Sequence, residues 1–253
     1  INNNTERDDI NMAKKITVIT GGSGGIGRSV IRKFLDNEDK VIVLDIQKIR
    51  NEKILENEKF EFIKTDITNP EEIEEAKKII EEKYGYINNL VSMAGVNMKS
   101  EIGGMETITI EDIDKSIKLN LNSHIYLVKI FLDLLKNNPS SKKTITMISS
   151  INAISDHGLP AYSAAKSGLY GFMKSISNSM AENRIRVNTV SLGTVPHNDE
   201  TIEENEYFQT KLQKIAIKDF VRPKDVAETI FAITYITRCI IGQNIVLDMG
   251  QSI

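Results

Sequence analysis

Residues Lys15 to Gly27 read KITVITGGSGGIG. A β-branched run ends in a glycine-rich turn, and a helix is expected from about Gly25 to Asn37. Glycine tolerates positive φ and lets backbone approach a ligand closely. A helix that opens directly after such a turn presents free N–H groups and a positive dipole end to a phosphate. A turn of this kind can also be a plain strand-to-helix connection. Its place after the first strand and before the first helix is the context that dinucleotide binding requires. Asp45 ends the next apolar run, Lys40–Asp45, 18 residues beyond Gly27. A carboxylate there can accept from both ribose hydroxyls of an adenosine and would repel an added phosphate. No Arg or Lys stands inside the turn, and Ile46 follows Asp45. The expected cofactor is therefore NAD(H).

The same alternation continues outward. Further strands are expected at Phe60–Thr65, Asn88–Met93, Lys143–Ser149, Ile185–Ser191 and Gln243–Asp248. Between them lie helical patterns. One opens at Asn69-Pro70, with Asn69 as N-cap and Pro70 in the first helical position. Others run over Ile110 to Lys136, Pro160 to Ala181, and Arg222-Pro223 to about Thr237. Strands alternating with helices imply right-handed crossovers and a parallel sheet. Strands apolar throughout imply cover on both faces. The expected fold is α/β: a doubly wound parallel sheet of about seven strands, helices on both faces.

Composition excludes several classes. The chain has 253 residues, 40% hydrophobic and 26% charged, with net charge −3. A nucleic-acid binder would usually carry a basic excess. One cysteine, Cys239, rules out an intramolecular disulfide and a multi-cysteine zinc site. His124, His157 and His197 show no metal-ligand spacing, so no metal is expected. No apolar run approaches the ~18 residues of a membrane helix. Ile1–Asn11 has neither the basic nor the apolar segment of a secretory signal. The expectations are a tail over residues 1–11, one domain over 12–253, and a cytoplasmic location.

The chemistry is carried further along. In Tyr162-Ser163-Ala164-Ala165-Lys166, the i, i+4 spacing sets Tyr162 and Lys166 on one helix face. A neighbouring ammonium should lower the phenol pKa and ready it for proton exchange with an alcohol or ketone. Such pairs are common on helices. Ser149-Ser150 sharpens the reading, because they end a strand at the sheet edge where ligands bind. A hydroxyl there can hydrogen-bond a substrate oxygen that gains charge.

With T-G-x-x-x-G-x-G at Thr20 to Gly27, Y-x-x-x-K at Tyr162 and Lys166, and strand-end Ser-Ser, the chain resembles a short-chain dehydrogenase/reductase of the compact Rossmann-like type. Asn120 in L-N-L-N, and I-G-Q-N-I-V-L-D-M-G at Ile241 to Gly250, complete the match. It runs from about Lys14 to the C-terminus. The resemblance implies that Tyr162 is the general acid/base and that Lys166 binds the nicotinamide ribose and depresses the tyrosine pKa. It implies that Ser150 orients the substrate oxygen and that Asn120 holds a proton-relaying water. It places Gly21, Ser23, Gly25, Ile26 and Gly27 on the cofactor, with Asp45 and Ile46. Asp66-Ile67 would flank the adenine, Ala94-Gly95 would pass the adenosine ribose, and Gly193 and Val195 would meet the nicotinamide end.

The chain departs from the family pattern at Ser92-Met93, where Asn-Asn is usual, at Leu192 before Gly193, and at His197 in place of a Thr. Ser150 stands 12 residues before Tyr162, and Ser149 stands 13. Ser150 is preferred because a loop absorbs a deletion more easily than a strand. Asn152, His157, Leu192 and His197 are substrate-pocket candidates. His124 is expected as packing or surface, and Cys239 as a small buried residue.

His197 to Phe220 should form a lid. Asp199, Glu200, Glu203, Glu204 and Glu206 give it an acidic start, with Lys211, Lys214 and Lys218 following. The expected function is an NAD(H)-dependent oxidoreductase that interconverts a secondary alcohol and a ketone. An alternative is reduction of a 3-oxoacyl thioester on acyl carrier protein. That acidic partner would want a basic mouth, and the acidic lid weighs against it. A non-catalytic dinucleotide-binding regulator is the third reading, opposed by the complete Ser-Tyr-Lys-Asn set. The expected partners are a small-molecule substrate and copies of the chain in a homotetramer, with no nucleic acid and no membrane. Small residues Ala161, Ala164, Ala165, Ser167 and Gly168 would serve the helix contacts between copies.

Overall fold

In the computed structural model the described residues are 15–140, 142–155, 157–196 and 205–253. Seven strands form one sheet: β1 (Ile16–Thr20), β2 (Lys40–Asp45), β3 (Phe60–Lys64), β4 (Asn89–Ser92), β5 (Lys143–Ser150), β6 (Ile185–Leu192) and β7 (Asn244–Leu247). Their order is β3-β2-β1-β4-β5-β6-β7, every neighbouring pair parallel. The helices are α1 (Gly25–Asp36), α2 (Glu52–Leu55), α3 (Pro70–Tyr84), α4 (Ile110–Ile117), α5 (Ser123–Asn137), α6 (Pro160–Glu182), α7 (Glu206–Lys214) and α8 (Pro223–Phe231). This is the doubly wound α/β sheet that the sequence pattern implies.

Side chains alternate across a strand, and here they sort into two cores. Ile16 and Val18 of β1, with Ile42 and Leu44 of β2, face one core. Ile19, Val41 and Val43 face the other. The first core is covered by Ile73, Ala76 and Ile80 of α3, by Leu127, Phe131 and Leu134 of α5, and by Leu169 and Met173 of α6. The second is covered by Val30, Ile31 and Phe34 of α1 and by Val226 and Ile230 of α8. Phe131 is fully buried. Phe131→Ala is expected to cost about 3–5 kcal/mol. A thermal or urea melt would show it as a lower midpoint, and an unchanged midpoint would remove Phe131 from the core.

The caps follow local chemistry. Asn69 accepts from the Glu71 N–H at 3.1 Å and Pro70 opens α3. Gly85, at φ 75°, closes it with a bond to the Glu81 carbonyl. Elsewhere the structure departs from expectation. The helix expected over Ile110 to Lys136 is α4 and α5 joined by a π-turn at Lys118–Asn122. The last helix ends in a second π-turn, Ala232–Ile236. That turn sends the Tyr235 hydroxyl to Asp39 and brings it 2.7 Å from the Asn89 amide nitrogen. A buried polar knot thereby forms at the amino edge of the sheet.

Cys239, expected to be buried, is exposed. Of the small residues on α6, Ala161 and Ala165 are buried within the chain. Gly168 lies where a Cβ would come within 2.8 Å of Leu121. That contact is internal, on the π-turn. Among the described residues, no helix is long and apolar enough to cross a membrane, and no side-chain cluster could hold a metal ion.

Strand order reverses between β1 and β4. A crevice opens at the carboxyl ends of strands at such a point. The segments after β1, β4, β5 and β6 all emerge at this edge.

Candidate active site

The turn after β1 leaves no room for a side chain at Gly21, nor does the helix that follows it at Gly27. Gly21 has φ 73°, and a Cβ there would stand 2.7 Å from the Ala94 Cα. A Cβ on Gly27 would meet the Gly21 carbonyl oxygen at 2.4 Å. Turn, first helix and the end of β4 are thus interlocked through glycine. The N-cap of α1 is Gly24, which offers no side-chain cap, and the first turn carries no acidic residue. First-turn N–H groups therefore face a cleft of about 340 Å³, which Gly21, Ser23, Gly25, Ile26 and Gly27 line. Asp45 at the end of β2 and Ile46 after it border the cleft, with Asp66 and Ile67 from the segment after β3 and Ala94 and Gly95 from the segment after β4.

The buried Asp45 carboxylate is held toward the turn. It accepts from the Ser23 N–H at 3.0 Å and from the Gln47 N–H at 2.9 Å. Arg28 folds back to the Ser23 carbonyl at 2.7 Å. Asp66 turns into its own loop, accepting from Thr68 N–H and hydroxyl at 2.9 and 2.8 Å.

The other end of the crevice gathers hydroxyl, phenol and amine. A space of about 270 Å³ touches Gly95, Ser150, Tyr162, Lys166, Gly193 and Val195. It runs into a second cleft of about 310 Å³, which Asn152, His157 and Leu192 border. Ser150 shares this space with Tyr162 and pulls the phenol pKa downward; it donates to Asn152 Oδ1 at 3.1 Å and accepts from the Asn152 N–H at 3.2 Å. Ser149 points away, donating to the Lys166 carbonyl at 3.0 Å. The structure therefore brings Ser150, and not Ser149, to the tyrosine.

Lys166 is 2% exposed and donates from Nζ to the Ile148 carbonyl at 2.9 Å. Burial pulls its pKa down to about 7. Tyr162 is shifted upward, first by burial and then by the charge of Glu101, with Ser150 opposing. The expected lowering of Tyr162 by Lys166 is absent from the direction found, which burial sets. Burial is the largest influence on both groups, and it raises the phenol while lowering the amine.

Asn120 sits in the π-turn, fully buried. Its Nδ2 donates to the Val96 carbonyl at 2.8 Å and to the Ser116 carbonyl at 3.0 Å. Its Oδ1 accepts from the Val96 N–H at 3.0 Å. Gly95 is wedged between Asn120 and Lys166: a Cβ would stand 2.7 Å from Asn120 Oδ1 and 3.1 Å from Lys166 Nζ. Gly193 is glycine for a similar reason, since a Cβ would come within 2.8 Å of the Asp248 Cα. His197 lies outside the described residues.

Residues 15–206 match the short chain dehydrogenase family. The chain belongs to it. A 3-oxoacyl-acyl-carrier-protein reductase of Buchnera aphidicola is 32% identical, covering 94% of this chain and 97% of the relative. A 7alpha-hydroxysteroid dehydrogenase of Bacteroides fragilis is 28% identical, covering 94% and 95%. Among solved structures, a short chain dehydrogenase from Leptospira borgpetersenii with bound NAD+ superposes with TM-score 0.84 at 27% identity, covering 95% and 93%. The protein is accordingly an oxidoreductase with a nucleotide-binding Rossmann fold.

Two residues of this short-chain dehydrogenase, Gln251 and Glu101, escape sequence reasoning, and His124, expected as packing or surface, takes the packing alternative. His124 is fully buried. Its Nε2 lies 3.0 Å from the Ala94 carbonyl and its Nδ1 2.7 Å from the Ser92 hydroxyl. A carbonyl only accepts, so Nε2 carries the proton and Nδ1 accepts from Ser92. Burial, and then the Lys166 charge, hold the ring well below the usual imidazole range. The departure at Ser92 was the available clue: an absent Asn side chain needs another polar group nearby. Gln251 accepts from the Thr194 N–H at 2.9 Å and fixes the segment after β6. Glu101, fully buried, accepts from the Tyr162 N–H.

Proposed function

We propose that the protein is an NAD(H)-dependent dehydrogenase that interconverts a secondary alcohol and a ketone. The observation that carries this reading is the meeting of Ser150, Tyr162 and Lys166 at one end of a crevice whose other end holds Asp45 and the glycine turn. The cleft fits a dinucleotide. It combines an uncapped helix N-terminus, glycines that admit no Cβ, and a buried carboxylate facing the turn. Asp45 would take the adenosine ribose hydroxyls, and the first-turn N–H groups would take the pyrophosphate. A nicotinamide dinucleotide held there supplies the hydride donor or acceptor.

The chain's own groups manage the proton. Ser150 orients the substrate oxygen by hydrogen bonding. Tyr162 Oη gives a proton to that oxygen in reduction and takes it in oxidation. Lys166 stands beside the tyrosine and would hold the nicotinamide ribose. Asn120 fixes the Val96 backbone and would hold a water on the way from Lys166 to solvent. Asn152 and His157, with Leu192, shape the space where the substrate carbon chain lies.

Calorimetric titration with NADH and NADPH, followed by an NAD-coupled screen of secondary alcohols and ketones, tests the reading. Tight NADH binding and turnover of an alcohol support it. Binding of neither dinucleotide ends it. Asp45→Ala is expected to lower the ratio of NADPH to NADH dissociation constants by tenfold or more, since a repelling charge is lost near the added phosphate. An unchanged ratio would remove Asp45 from cofactor selection.

A second reading, reduction of a 3-oxoacyl thioester, is favoured by the 32% identity to the Buchnera aphidicola reductase. Acetoacetyl thioester reduction outpacing every free alcohol and ketone would select it.

A further inference from the structure

The catalytic helix begins badly. The N-cap of α6 is Leu159, at φ 59° with no side-chain cap, and Pro160 follows in the first helical position. Ser, Thr, Asp or Asn at an N-cap would satisfy the N–H of the second or third helical residue. Leucine cannot. The third helical residue is Tyr162. Its N–H is taken at 2.8 Å by Glu101, 61 residues earlier in the chain.

Glu101 is 0% exposed and lies in the 3₁₀ segment Lys99–Glu106. Its other oxygen accepts from the Met98 N–H at 3.3 Å. Among the described residues no lysine or arginine forms an ion pair with it. A buried carboxylate without a cation is costly unless fixed dipoles satisfy it. Here the compensation is backbone N–H groups and the positive end of α6. Nearby, Asn97 borders the second cleft, and Val96 is held by Asn120. Glu101 therefore ties the segment beside the substrate space to the backbone of the reacting tyrosine.

We infer that Glu101 is a positioning residue, its carboxylate capping α6 at Tyr162 itself and so keeping the tyrosine side chain in the cleft it shares with Ser150. Its charge has a second effect. A fixed anion near the phenol opposes the phenolate, in line with the upward shift of Tyr162. The polar and titratable groups on the clefts that Tyr162 lines are Ser150 from β5, Lys166 from α6, His157 from the preceding loop and Lys211 from α7, with Glu101 on its backbone N–H. Of these, Glu101 is the carboxylate. The inference rests on the proposed role of Tyr162, but its test does not need a substrate.

Glu101→Gln keeps an acceptor and loses the charge, and Glu101→Ala loses both. Amide hydrogen exchange at Tyr162 should be at least tenfold faster in Glu101→Ala and within threefold of the parent in Glu101→Gln. The ring-carbon NMR titration of Tyr162, assigned by its absence in Tyr162→Phe, should move to lower pH in Glu101→Gln. With any alcohol that the parent oxidises, Glu101→Ala should lose tenfold or more in kcat with KM within twofold. Glu101→Gln should restore kcat and carry the acid limb of the pH profile to lower pH. Unchanged exchange in Glu101→Ala, or an unmoved titration in Glu101→Gln, overturns the inference. If Glu101→Ala does not fold, the Glu101→Gln titration decides alone. A parent that oxidises nothing counts against the proposed activity and leaves the exchange and titration results intact.

Discussion

Tyr162→Phe is expected to lower kcat by roughly 10²–10⁴, the usual range for general acid–base catalysis, while NADH affinity stays within about twofold. The substitution keeps the ring and its packing and removes only Oη. Losing one hydroxyl's hydrogen bonding costs about 0.5–1.5 kcal/mol of stability, which leaves a folded protein to assay. Steady-state kinetics and calorimetric titration of the same sample check the two halves. Turnover within tenfold of the parent would mean that another group moves the proton. Loss of dinucleotide binding would mean that the ring, not the hydroxyl, was being read.

Gly27→Ala should act at the opposite end of the crevice. The added Cβ would stand 2.4 Å from the Gly21 oxygen and 2.7 Å from Gly22 Cα and carbonyl carbon. These are backbone atoms, so no rotamer change relieves the contact, and the turn must move away from the helix. Overpacking of this kind costs about 1–3 kcal/mol. The displaced turn should also lose its aim at the phosphates, with NADH affinity falling tenfold or more. Calorimetry and a thermal melt read both effects. A parent-like melting midpoint with parent-like affinity would show that the turn is looser than its glycines suggest.

Much of this was legible in the order of residues, for local reasons. KITVIT, KVIVLD and KTITMIS are short β-branched runs that helices could not use well, and Asn69-Pro70 marks a helix start within two residues. The glycine turn and Asp45 fall on consecutive strands, so their spacing carries their meeting. What was not legible depends on distance in sequence or on burial. Glu101 and Tyr162 are far apart in the chain, and no periodicity links a 3₁₀ turn to a helix start. His124 meets Ser92 and Ala94 only because α5 lies beneath the end of β4. The i, i+4 spacing puts Lys166 and Tyr162 on one face but says nothing of depth, and depth sets the direction of both shifts. Cys239 went wrong for the same reason, since cysteine's general preference for the interior is silent about its one local setting.

The π-turn at Lys118–Asn122 also sets the phase of everything after it. An α-helix advances about 100° per residue, and a π-turn accommodates one more residue than an α-helical turn. Every side chain from Ser123 to Asn137 is therefore rotated by about that angle from where an unbroken helix beginning at Ile110 would put it. The phase suits both halves: Asn120 looks toward Gly95, while Leu127, Phe131 and Leu134 look into the core. Straightening the turn into a regular helix with every residue kept would swing that apolar stripe toward water, whereas removing one residue as well would leave it on the core. One residue of apparent surplus thus acts as the clutch between the site and its foundation.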